Sequence, residues 1–529
     1  MLSLAKHSRF RTPWWFLSLL LCQLGSAQNT YYVDAANGSD SNQGTSVDLP
    51  WKSISKVNSY PFVPGDVVSF KSGSVWKGPL NVTRSGNEKN PITFRAYGSG
   101  SKPTIKNPSG GQWGDAVAIS GNWIIMDGLA TDSSGYGGFH IQALGAHDII
   151  RNCDVVNAGI GIPIHGRYNL VTNNHIHSLH HMVVNTVGGD DDYGAVGVWF
   201  FNSHNEVSYN QIDSCYAPCF DYGEDGGAIE FYGKVDSCYI HHNWVFNTDG
   251  FCEIGGGPET GGWSAIDCNF SYNVYINVRG QPMLWLHLHD YFASTIRNLR
   301  FENNTVLCLN PNKQGWVLVG WDSVPSPETF VMQNNIIYLD NWQAVVRTGG
   351  FTHGHNLFFC PSSPVILGCS LGTGDLVGNP QFVDAARLNV RLKTTSPAVK
   401  AGLSLGYHLD FDNHQLPVNV PPDIGAFEMA TSTNTGQPRG NPTTALLSQN
   451  FPNPFNPTTV IQYYLPSSSF VRIELYDILG RLQKTLVNEK KDAGSYEFVL
   501  SAHGLASGIY VYRMQAGQYV ASCKCVVLN

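Results

Sequence analysis

The sequence predicts an all-β chain: a parallel β-solenoid followed by a small C-terminal β-sandwich. Three observations predict it. A strand-and-corner pattern anchored on asparagine recurs through the middle of the chain at spacings of 21 to 36 residues. Charged residues make up only 14%, while Gly (55) and aromatics (12%) are plentiful, which suits short strands joined by tight turns rather than a helical bundle. And 529 residues are too many for one ordinary compact core, so an elongated repeat or several domains is expected.

Residues 1–27 read as an export signal. Lys6, His7, Arg9 and Arg11 precede an apolar run from Trp14 to Cys22, and Gly25, Ser26 and Ala27 offer small residues for cleavage. The run is short for a membrane span. Twelve cysteines, less Cys22 of the signal, leave eleven, an odd number where disulfides are allowed. Cys360 and Cys369 could close a short loop, Cys238 and Cys268 could stack in neighbouring coils, and the spacings are not those of a zinc site. They read as structural.

The repeat is an apolar strand that reaches Asn and resumes as a second strand: LVTNNHIH, EVSYNQID, YIHHNWVF, FSYNVYIN, RFENNTVL and VMQNNIIY. Its anchors are Asn174, Asn210, Asn243, Asn273, Asn304 and Asn335, with Cys153 in front and Asn356 behind. Asn tolerates a left-handed corner, and stacked Asn side chains can hydrogen-bond along an axis. A third strand precedes each pair: GIPIHG, GVWFFN, AIEFYG, FCEIGG, LWLHLHD and VLVGWD. Its alternation fits one buried face.

Three strands per coil is the pattern of the right-handed parallel β-helix, and residues 29 to 428 resemble that superfamily. YYVDAANGSD, PWKSISKVN and PGDVVSFKSG resemble its opening segment, and NPQFVD, SPAVKAG and PDIGAFEM its closing one. The resemblance implies a β-helix domain over 28–429. It speaks for fold more than for chemistry. Residues 430–445 are polar and Pro- and Gly-bearing, and read as a linker. Over 446–529, VIQYYL, VRIELYD, GSYEFVL and GIYVYRM alternate like a β-sandwich. There SQNFPNPFNPTT, YDILGR and GLASGIYVYRM resemble the C-terminal sorting domain of the type IX secretion pathway, which implies a secreted or cell-surface protein. A carbohydrate-binding sandwich is the other reading.

Equivalent positions of successive coils stack about 4.8 Å apart. Where Ile229 and Phe231 point inward, Glu230 and Tyr232 point out; where Cys252 and Ile254 point inward, Glu253 points out. The same alternation turns out His165, Trp199 and Phe201 in earlier coils, and Trp285, His287, His289 and Trp321 in later ones. Rings stack on sugars and carboxylates transfer protons. Glu230 and Glu253 emerge from consecutive coils, so their carboxyl groups are expected roughly 5 Å apart, the spacing of retaining glycosidases. Like charges this close cannot both ionise easily. Asp225, in a loop with Asp221 and Glu224, is the competing partner for Glu253 and allows an inverting route. That loop and Asp190, Asp191 and Asp192 leave Ca²⁺ open as a ligand without the spacing of a calcium loop. No other cofactor is implied. The His175, His177, His180 and His181 cluster reads as solvated surface.

The function expected is a secreted glycoside hydrolase acting on a neutral polysaccharide such as a xylan or glucan. The resemblance to β-helix glycosidases, in which carboxylates from neighbouring coils do the work, points the same way. The alternatives are a lyase acting on a uronate-containing glycan and a non-catalytic surface protein that binds carbohydrate. A lyase needs a base and a cation, and Arg167, Lys234 and Arg347 are the nearest the strands offer. With a net charge of −8 and no Lys/Arg cluster, nucleic acid is not expected as a partner. The expected partners are the glycan and the secretion machinery, with the chain a monomer.

Overall fold

The structure is a computed structural model. It describes residues 28–527 except 190, 222, 256–261, 278, 280–283, 287–293, 311–314, 321–326, 341, 347–350, 363, 366–367, 369, 418–419, 430–444, 448–449, 451–454, 456–457, 466, 493 and 518. The expected signal (1–27) and nearly all of the expected linker lie outside the described residues.

Short strands form because apolar β-branched and aromatic residues alternate over three to six positions and then meet a corner. One face is a parallel sheet whose twelve strands follow chain order from Thr30–Val33 to Thr352–Gly354. The other two faces run alongside and are joined by the long strand Asp154–Ile164. Its first half pairs with His175–Leu179 and its second half with Val196–Phe200. Parallel neighbours one coil apart on all three faces make a right-handed parallel β-helix. Its interior is one continuous apolar column, with Met126, Ile150, Val171, Val207, Ile240, Phe270, Phe301 and Met332 buried rung above rung.

The corner after the twelve-stranded face sets the register. Asn210 donates from its backbone N–H and its Nδ2 to Asn243 Oδ1, both at 3.0 Å, and Asn243 does the same to Asn273. The ladder runs on through Asn304, Asn335 and Asn356, all buried. One expectation is corrected. The left-handed residue is not the ladder asparagine but the one before it: Asn173 (φ 56°), Tyr209 (56°), His242 (56°), Tyr272 (53°), Asn303 (54°) and Asn334 (58°). The corner cost thus falls on an outer residue, and the buried Asn keeps ordinary backbone and spends its amide on the axis.

The first rungs and one outer flank of the later coils are covered. A six-residue helix, Ile54–Ser59, N-capped by Ser53 Oγ, packs with Trp51 over the first rungs. Near the far end, Phe382, Leu388, Val390, Phe411, Ile424 and Phe427 of the closing segment lie over Trp244, Val274, Leu307 and Ile336. This hides apolar outer surface that would otherwise face water. The C-terminal module has its own core, with Ile461, Leu465, Val471, Ile473, Tyr512 and Met514 between a three-stranded and a four-stranded antiparallel sheet.

No disulfide joins any two of the ten described cysteines, and nine of the ten are buried. Cys238 and Cys268 occupy successive rungs as expected, without a disulfide, and Cys369 lies outside the described residues.

Candidate active site

The strand Gly227–Tyr232 buries Ile229 and Phe231 in the lumen and turns Glu230 and Tyr232 outward. On the next coil Cys252–Gly255 buries Cys252 and Ile254 and turns Glu253 outward. The parallel register pairs Glu230 with Glu253 directly, with Trp199 one coil before and Trp285 one coil after. The two glutamates therefore leave the wall side by side, about 4.8 Å apart at the backbone.

A third carboxylate joins them through a pinned loop. Ala217 and Asp225 exchange two backbone hydrogen bonds, of 2.8 and 2.9 Å, which closes residues 218–224 into a loop ending at the site. Gly226 follows at φ 139°, and a Cβ there would stand 2.8 Å from Tyr216 Cα, so only glycine lets the chain turn from Asp225 into the Glu230 strand. A cavity of about 20 Å³, lined by Gly226, Gly227, Glu230, Asp249 and Glu253, has room for about one water molecule.

The electrostatics of this trio are set by crowding. Glu230 keeps some contact with solvent, but the protein packed round its carboxyl pushes its pKa well above the usual range, with Glu253 and then Asp225 adding to the rise. Asp225 is raised to about 7, first by burial and then by Glu253. The indole N–H of Trp199 is close enough to favour the charged form of Glu230, yet it makes no hydrogen bond of good geometry among the described residues.

Trp199 corrects one expectation. It faces away from the lumen but is only 5% exposed, because Tyr193 from the hairpin Met182–Val184/Tyr193–Gly194 folds over it. Its ring centroid lies 5.3 Å from Tyr193, 5.3 Å from Tyr232 and 6.5 Å from Tyr136. The rings left at the surface here are the half-buried Tyr193 and Tyr232 and the 61% exposed Trp113, which tilts against Tyr136 and Tyr193.

His165 stacks on Phe201 at 3.8 Å and ends a relay in which Asp115 Oδ2 meets His140 Nδ1 at 2.8 Å and His140 Nε2 meets His165 Nδ1 at 2.9 Å. Burial, then His140, lowers His165 to about 3, so it is neutral at pH 7. His287, His289, Trp321 and Arg347 lie outside the described residues, and Trp285 is placed by backbone register alone. Sequence reasoning missed His140 and Asp115, although Phe139-His140-Ile141 shows the same alternation as the later rungs. It also missed Arg279, which pairs with Glu224 of the Asp225 loop and lies over the Tyr216 ring at 3.7 Å. The histidine cluster is not solvated surface: His175 Nε2 meets Asp213 Oδ2 at 2.7 Å, His177 stacks on His175 at 4.0 Å, and both are half-buried.

Asp191, Asp192 and Asp221 bring ligand oxygens within 4.8 Å of one another, an all-oxygen set of the kind that suits a hard cation. Asp192 also accepts from the backbone N–H groups of Thr186, Phe220 and Asp221, so the cluster already ties the hairpin to the Asp225 loop. Asp190 lies outside the described residues.

Comparison with known proteins bears on both domains. Residues 449–528 match the secretion system C-terminal sorting domain, so the protein is secreted or carried to the cell surface. A lacto-N-biosidase of Bifidobacterium longum subsp. longum is 42% identical over 96 residues, 17% of this chain but only 6% of that protein. Among solved structures, pectate lyase Pel9A superposes with a TM-score of 0.52 at 16% identity, covering 77% of this chain and 97% of its own. XylC in complex with xylose superposes with a TM-score of 0.50 at 10% identity, covering 76% and 98%. These likenesses establish the parallel β-helix.

Proposed function

We propose that the protein is a secreted glycoside hydrolase that cleaves a neutral polysaccharide of the xylan or glucan kind, with Glu230 and Glu253 as its paired carboxylates. The observation that carries this reading is the in-register pairing of the two glutamates on consecutive coils, with the proton favoured on Glu230. A separation near 5 Å suits the retaining route. Glu230 then gives its proton to the glycosidic oxygen while Glu253 attacks the anomeric carbon. In the second half Glu230 takes a proton from water, which displaces Glu253. Asp225, titrating near neutrality beside both, is the competing acid and with Glu253 would serve an inverting route. Tyr232 and the later-coil rings fit the role of sugar platforms, and His165 that of a neutral hydrogen-bonding group. The lacto-N-biosidase likeness supports glycoside hydrolysis. Among the described residues, Arg279 beside the Asp225 loop is committed to Glu224 and Tyr216 and so is no free cation for a uronate.

The test is a panel of plant and algal glycans incubated with the parent, Glu230→Gln, Glu253→Gln and Asp225→Asn. Reducing ends without near-ultraviolet absorbance are expected from the parent. Both Gln variants should lose on the order of a thousandfold in kcat/KM while still binding glycan. Absorbing, unsaturated products would instead identify a lyase, and full activity in both Gln variants would remove the pair from the mechanism.

A further inference from the structure

Beside the aromatic ridge, on the side away from the three carboxylates, lies an open groove of about 790 Å³, within the size range of ligand sites. Its walls come from Gly111 and Gln112 of one loop, Ser133 to Gly135 of one rung, Asn157 of the next, and the hairpin segment from Met182 to Thr186. No Asp, Glu, Lys or Arg side chain lines it among the described residues. Its lining is hydroxyl, amide, backbone, the His181 imidazole and a few apolar side chains, which together can receive a ring with many hydroxyls.

One further observation points to a ligand. Trp113, next to the groove-lining Gln112, holds an exposed indole face at the rim, propped by Tyr136 at 5.8 Å and Tyr193 at 6.2 Å. An apolar ring fixed in the open beside a polar trough is suited to stack on a sugar.

We propose that this groove is a second binding site, for uncharged pyranose units of a glycan, with Trp113 as its stacking face. The site goes beyond the hydrolytic reading and does not need it. Tyr193 of the hairpin and Tyr136 both pack beside Trp199, whose in-register neighbour on the next coil is Glu230, so groove and carboxylates border one set of rings. A surface with groove and carboxylates on either side of one aromatic ridge would hold a polymer during repeated cleavage.

The experiment uses the full chain carrying Glu253→Gln, so that glycan is not consumed and a failure of catalysis cannot be confused with a failure of binding. Affinity for soluble xylan, mixed-linkage β-glucan and galactomannan is measured by calorimetry, with polygalacturonate as the charged control. At least one neutral glycan should bind. Added Trp113→Ala should weaken that binding by roughly tenfold, Trp113→Phe should keep most of it, and Trp123→Ala elsewhere on the surface should leave it unchanged. The proposal is overturned if no neutral glycan binds, if Trp113→Ala binds within about twofold of its parent, or if polygalacturonate binds as tightly as the best neutral glycan.

Discussion

Removing one rung of the asparagine ladder at Asn243 tests how the site is held together, since this residue lies in the coil that links Glu230 to Glu253. Its side chain is fully buried and makes four hydrogen bonds: Oδ1 accepts from Asn210 N and Nδ2, and Nδ2 donates to Val207 O and Asn273 Oδ1, at 2.9 to 3.0 Å. Asn243→Ala leaves the Asn210 amide N–H and one Nδ2 hydrogen without an acceptor, while Asn273 Oδ1 still receives the Asn243 backbone N–H. Two orphaned donors at ~1–3 kcal/mol each put the loss near 4 kcal/mol. A solenoid need not unfold as one unit, so the assay pairs guanidinium unfolding with amide hydrogen exchange, read at Asn210. Exchange should speed up at Asn210 and its neighbours and stay unchanged at the first rungs. Asn243→Asp keeps the acceptors but sets a second oxygen against Val207 O and Asn273 Oδ1. Its folded pKa then lies above the unfolded ~3.9, so it should approach parental stability below about pH 4 and lose it as pH rises. If Asn243→Ala melts within about 1 kcal/mol of the parent with unchanged exchange at Asn210, the ladder is not what fixes the register.

Other outcomes follow from buried groups. Asp225, raised to about 7, binds its proton more tightly folded than unfolded, so its contribution to stability is complete below about pH 4 and disappears as pH rises through about 7; Asp225→Asn should flatten that fall in a pH series of melts. His165 and His242, lowered to about 3, and His177, lowered to about 4, work in the opposite direction: their stabilisation is present above about pH 6.5 and is lost on acidification, so His242→Gln should blunt acid unfolding. Burial pushes the Cys153 and Cys308 thiols up to about 12, and a thiol reagent should label both only after denaturation.

What was legible in the sequence was whatever repeats. Alternation about Ile229, Phe231, Cys252 and Ile254 placed Glu230 and Glu253 on one wall, because a strand has only two faces and a parallel neighbour inherits the register. The ladder showed as Asn at coil spacing, although its φ assignment was off by one residue, since sequence does not say which side of a corner bears the turn. What was not legible came from excursions between rungs. Trp199 is covered because a hairpin returns Tyr193 across it, and Arg279 reaches Glu224 from a later coil. Neither contact has a period, and loop paths are set by packing that no local pattern encodes. Asp115 and His140 were within reach but sit in an early coil, where no carboxylate drew attention to the face.

The hairpin Met182–Val184/Tyr193–Gly194 departs from the solenoid after one strand and rejoins it before the next, so its length and content are decoupled from the rungs beneath. A lineage can therefore rewrite this flap, and with it one wall of the groove, while the rungs beneath stay as they are.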